Sequence, residues 1–159
     1  MKVTADTSVI IRAVVADNPQ QAALARELLA NAEVVAMPLP ALCEFVWVLS
    51  QGYRFSGREI AFALRKLTES ENVATNRPAV EAGLDYLDRG GDFADGVIAY
   101  EGRWLGGALF VSFDTKAVTL AKASGKPAQL LVVAPEKNEL TGIAKGEPKT
   151  GYRDRKDRY

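Results

Sequence analysis

Four acidic side chains in this 159-residue chain, Asp6, Glu44, Asp95 and Asp114, have types and positions that could do chemistry. Asp6 ends the first apolar run, Val3-Thr4-Ala5-Asp6, and Asp114 ends the run at residues 108–112. Glu44 falls in the second turn of a helical segment that follows Met37, and Asp95 in the first turn of one opened by Asp92. If strands alternate with helices in a parallel sheet, all four lie at the carboxyl edge of that sheet, where open α/β folds bind ligands. Carboxylates gathered there repel unless a hard cation neutralises them, and an all-oxygen donor set suits Mg²⁺ or Mn²⁺. The chemistry such an ion supports is phosphodiester hydrolysis by a metal-activated water.

Each acid also has an ordinary structural explanation. Asp6, Thr7 and Ser8 are all good helix N-caps, as are Asp92 and Asp114, and an acid at Asp95 favours the helix dipole. Glu44 is the most informative, because it is the only charged residue at positions 37–53. Its segment carries Leu42, Phe45, Val46, Trp47, Val48 and Leu49 with no clearly polar face, which predicts a buried helix. A buried carboxylate needs a cation, either a metal ion or an arginine, and the ordinary structural explanation is a salt bridge inside the core. Capping accounts for the acids one at a time, but not for their convergence.

Composition narrows the chemistry. Histidine is absent, which removes Ser-His-Asp and Cys-His catalysis and imidazole-dependent zinc sites. The single cysteine, Cys43, cannot form an internal disulfide, and beside Leu42 and Phe45 it reads as a packed thiol. Basic and acidic residues balance at 20 each, so the whole chain offers no general attraction to nucleic acid. Apolar runs are too short to span a bilayer and the start of the chain has no signal-peptide pattern, so a cytoplasmic protein is expected.

The elements that must position the acids follow from hydrophobic period and breakers. Strands are predicted at residues 3–6, 34–37, 73–75, 108–112 and 130–133, the last closed by Pro135. Helices fill the intervals, including a hairpin at residues 38–68 interrupted between Gly52 and Gly57. The alternation predicts an α/β domain over residues 1–135, its parallel sheet covered on both faces. Residues 136–159 are polar and glycine-containing, with six basic and three acidic residues from Lys145 onward, and are expected to be a disordered tail.

Four segments, Val3-Thr4-Ala5-Asp6-Thr7-Ser8-Val9-Ile10, Leu42-Cys43-Glu44, Asp92-Phe93-Ala94-Asp95-Gly96-Val97-Ile98-Ala99 and Val111-Ser112-Phe113-Asp114, resemble the signature segments of PIN-domain proteins. Within that family the resemblance is nearest to the VapC ribonuclease toxins of bacterial toxin-antitoxin pairs. It implies a three-layer α/β/α sandwich with a parallel central sheet, Mg²⁺- or Mn²⁺-dependent endoribonuclease activity on RNA, a homodimer and a VapB-like antitoxin. By position it makes Asp6, Glu44, Asp95 and Asp114 the catalytic and metal-binding quartet, Asp6 and Asp95 foremost as ligands. Asp92, Ser112 and Thr7 become accessory residues. The hairpin aromatics Phe45, Trp47, Tyr53, Phe55 and Phe62 resemble a partner-packing region, although core packing accounts for at least half of such residues.

Two other readings stay open. The fold could serve as a non-catalytic interaction module, with the hairpin as its binding surface. A phosphoryl-transfer domain with an aspartate nucleophile would need a second acid near Asp6, and Asp6-Thr7-Ser8 lacks one.

Overall fold

The strand β1 (Lys2–Thr4) opens the chain and turns directly into α1 (Thr7–Val15), followed by α2 (Pro19–Asn31) and β2 (Val34–Ala36). This computed structural model describes residues 1–134. The two helices of the predicted hairpin follow, α3 (Leu39–Gln51) and α4 (Gly57–Glu69), and then β3 (Val73–Ala74). The second half consists of α5 (Arg77–Asp88), α6 (Phe93–Trp104), β4 (Phe110–Ser112), α7 (Thr115–Ala123) and β5 (Ala128–Leu130).

All strand pairs are parallel, as the alternation predicts. β1 pairs with β2 and β2 with β3, in register Val3↔Val35↔Val73. β4 pairs with β5 in register Val111↔Gln129. Among the described residues the ladders form two groups, β1-β2-β3 and β4-β5, rather than one continuous sheet. With strands of two or three residues, helix packing rather than ladder length holds these layers together.

Local chemistry sets the helix ends. Asp6, Asn18, Asn76, Asp92 and Asp114 each accept a backbone N–H at an N-terminus. Ser56 and Glu59 close a reciprocal capping box at α4. Pro19 and Pro40 sit in first turns, where a missing N–H costs nothing. The main core gathers Ile10, Val35, Leu42, Phe45, Leu64, Leu84 and Phe93 from both halves, so the helix that Asp6 caps and the helices that carry Glu44 and Asp95 are seated in one apolar cluster.

α5 and α6 run antiparallel, with Asn76 hydrogen-bonded to Glu101 at 2.9 Å while Gly83 meets Phe93. Their closest approach needs glycine. A Cβ on Gly96 would stand 2.8 Å from the Cα of Gly83 and collide with the Ala82 carbonyl oxygen. The crossing therefore holds the first turn of α6, with Asp92 and Asp95, hard against α5.

Three expectations are corrected. The last strand is Ala128–Leu130, not residues 130–133, because it pairs with β4, whose ladder ends at Ser112 before Asp114 caps α7. Val132 and Val133 are exposed instead. The strand expected at residues 108–112 begins only at Phe110. α3 is not buried all round, since Trp47 is 50% exposed and Glu44 is half-buried. Of the hairpin aromatics, Phe45 is core, Tyr53 and Phe55 pack on the core's rim, and Trp47 and Phe62 face outward. Residues 136–159, expected to be a polar tail, lie outside the described residues. Within the described part no helix is long and apolar enough to cross a membrane.

Candidate functional site

The first part of the site forms where β1 hands over to α1. The Ala5 amide donates to the Ala36 carbonyl at 3.0 Å, so parallel pairing continues until the residue before Asp6. Asp6 then turns the chain, its Oδ1 accepting from the Ser8 hydroxyl at 2.8 Å and the Val9 amide at 3.1 Å. The Ser8 hydroxyl, with the Val9 amide, holds this carboxyl below its ordinary range. Both bonds end on one oxygen, so capping and an outward-facing carboxylate coexist in one side chain.

Thr7 ties this turn to α3. Its hydroxyl donates to Glu44 Oε2 at 2.7 Å, joining residues 37 apart in sequence. The Ala41 carbonyl lies 3.4 Å from the same hydroxyl. Asp6, Thr7, Ser8, Glu44, Arg12 and Tyr53 all line one cleft of about 650 Å³.

The second part gathers at the starts of α6 and α7. Asp92 caps α6 by accepting from the Ala94 amide at 2.8 Å, and Asp114 caps α7 by accepting from the Lys116 and Ala117 amides at 2.7 and 3.2 Å. The Ser112 hydroxyl accepts from the Asp114 amide at 3.0 Å, which fixes the turn out of β4. Asp95 is half-buried one turn into α6. Burial first, then the charges of Asp92 and Asp114, push its carboxyl above the ordinary range. These three acids therefore form one electrostatic neighbourhood.

Cys43 joins the two parts. α3, the helix that carries Cys43 and Glu44, packs against α6, and burial, with the charge of Asp92, pushes the Cys43 thiol up. The raised thiol agrees with a packed cysteine rather than a reactive one. The structure thus links Asp6, Thr7 and Glu44 on one side and Asp92, Asp95 and Asp114 on the other. Among the described residues, however, no three or more His, Cys, Asp or Glu side chains stand close enough together to hold a metal ion as a group. The donors are all oxygens, which suits a hard cation.

Glu44 needs correction here. It opens on the cleft beside Thr7 instead of being enclosed in the core, because α3 turns only one side inward. Sequence reasoning also passed over Ser8 as the partner of Asp6, and Arg12 as a lining residue. The spacing Ser8, Ile11, Arg12 places all three on one helical face, which was the available signal.

Residues 3–123 match the PIN-domain family, a span that includes all four acids, and the chain belongs to that family. PIN domains are generally nucleases, so the acids belong to a nuclease-type α/β domain. A comparison with curated proteins found no match.

Proposed function

We propose that this PIN domain is a Mg²⁺- or Mn²⁺-dependent endoribonuclease, the toxin of a VapBC-type pair in the cytoplasm. One observation carries the reading: in a chain of the PIN-domain family, a half-buried Asp95 stands in the field of Asp92 and Asp114 at the starts of α6 and α7. An arrangement that costs stability in the free protein is the kind that functional sites retain. Asp6 and Asp95 would be the principal metal ligands, with Glu44 and Asp114 supporting. The bound ion would supply a nucleophilic water at neutral pH and offset charge on the leaving oxygen. Thr7 orients Glu44, Ser112 fixes the turn that presents Asp114, and Asp92 adds negative charge beside Asp95.

The exposed Trp47 and Phe62 on the hairpin support a partner surface for a VapB-like antitoxin. The outward Ile98, Trp104 and Val111 support a homodimer contact.

The test separates capping from chemistry. Asparagine caps a helix about as well as aspartate, so Asp6→Asn keeps the cap and removes the charge. RNA cleavage with Mg²⁺ or Mn²⁺ is expected to fall at least a hundredfold in Asp6→Asn and Asp95→Asn, with the fold retained (~3 kcal/mol of barrier). Wild-type activity in both variants overturns the proposal. A non-catalytic interaction module is the second reading, favoured by the separation of the carboxylates. Calorimetric titration with Mn²⁺ distinguishes them, since the module would bind none at neutral pH.

A further inference from the structure

The cleft that holds Asp6 and Glu44 is polarised. Arg12 is the one cation among its lining residues, on the same face of α1 as Ser8 and Ile11. The guanidinium is fixed in place: Nε donates to Gln21 Oε1 at 2.7 Å, and Nη1 to Asp17 Oδ1 at 2.5 Å. Tyr53, from the turn after α3, donates its hydroxyl to Asp17 Oδ2 at 2.7 Å, and its ring meets Phe55 edge to face. Asp17 thus bridges Arg12 and Tyr53 across segments 36 residues apart.

This is more order than a surface arginine needs to stay soluble. An arginine with its rotamer already set loses little entropy when it binds phosphate through its remaining donor, and that hydrogen bond is charge-assisted. Thr7 and Arg12 stand five positions apart on α1, about 8 Å of helix rise, comparable to one nucleotide step of extended single strand. Ile11, Val48 and Tyr53 supply apolar wall between the two ends.

We propose that Arg12 binds a backbone phosphate of single-stranded RNA next to the scissile one, and that Tyr53 and Val48 form the wall of that nucleotide subsite. The inference rests on the nuclease reading and assigns Arg12 to positioning substrate. Nη2 is the donor assigned to phosphate, because the contacts to Gln21 and Asp17 occupy Nε and Nη1. An acidic peptide would meet Asp6 and Glu44 as well as Arg12. A phosphodiester strand can place one phosphate at a bound cation and the next at the guanidinium.

The experiment uses the full chain and an unstructured mixed-sequence oligoribonucleotide. KM and kcat are measured for wild type, Arg12→Gln and Arg12→Lys, and oligonucleotide binding is followed against salt in an Asp95→Asn background. Arg12→Gln is expected to raise KM about tenfold with kcat within about twofold, as loss of one charge-assisted phosphate contact implies. It should also flatten the slope of log affinity against log salt by about 0.7, the contribution of one phosphate on a single strand. Arg12→Lys should keep the salt slope while losing part of the affinity, and it carries the test if Arg12→Gln does not fold. Wild-type KM and salt slope in a folded Arg12 variant overturn the subsite and leave the nuclease reading intact. Failure of wild type to cleave or bind the RNA overturns the nuclease reading itself.

Discussion

The contact between α5 and α6 makes a sharp prediction, because two glycines of one helix experience opposite environments. At Gly96 an added Cβ would meet only backbone: the Gly83 Cα at 2.8 Å, the Ala82 carbonyl carbon at 2.9 Å and the carbonyl oxygen nearer still. Carbon atoms prefer separations of about 3.5–4.0 Å, so α6 must move away from α5 by on the order of 1 Å. Backbone cannot rotate aside as a flexible side chain can. The overpacking cost of Gly96→Ala is therefore about 3 kcal/mol, the upper part of the usual range. Higher helix propensity offsets about 1 kcal/mol of this, leaving a net loss of about 2 kcal/mol. At Gly102, in the same helix, an added Cβ meets nothing within 4 Å. Gly102→Ala should gain up to about 1 kcal/mol, so the two variants should differ by about 3 kcal/mol. Urea unfolding with unchanged m-values measures both, and each kcal/mol should appear as roughly 4 °C in melting temperature. Gly96→Ala should also lose RNA cleavage where it is still folded, since the displaced turn carries Asp92 and Asp95. Equal stability of the two variants would refute the argument that this close approach positions the acids.

The remaining predictions concern stability. The Asp95 carboxyl is raised by burial and by Asp92 and Asp114, so between its ordinary and its folded pKa the native state holds the proton that the unfolded chain releases. The contribution of Asp95 to the stability of the metal-free protein should therefore decline as pH rises above 3.8 toward the folded value, opposite in sign to the lowered carboxyls of Asp6, Asp17 and Glu59. Asp95→Asn should become progressively more stable than wild type over that interval, seen as a rising difference in urea midpoint, while its cleavage activity is lost. A difference of the opposite sign would contradict the assigned electrostatics. The Tyr86 hydroxyl is buried without a hydrogen-bond partner among the described residues, and Tyr86→Phe should stabilise by about 1 kcal/mol in the same assay. A loss of stability in Tyr86→Phe would mean that the hydroxyl is satisfied in solution.

Much of the candidate site was legible because its parts are local. Asp6, Asp92 and Asp114 declare themselves as caps through the residues beside them, and the structure gives each of those caps its bond. The end of the last strand was not legible. Leu131-Val132-Val133 continues the apolar run of Leu130, but the extent of a strand depends on the partner ladder, which stops at Ser112. The setting of Glu44 was misread for a related reason. Nearly all-round hydrophobicity specifies how much of α3 could be buried, whereas the neighbouring helices decide which side is.

By itself the chain determined the order of elements, the parallel pairing, the oxygen-only chemistry left by the absence of histidine, and the family signature around four acids. Only tertiary structure decided that Thr7 bonds Glu44, that Asp95 shares a field with Asp92 and Asp114, and that Arg12 faces the acid cleft. The physical reason is range. Capping, periodicity and turn chemistry act within a few residues and are written in sequence order. Side chains 36 or 37 residues apart come into contact only when helix packing chooses their faces.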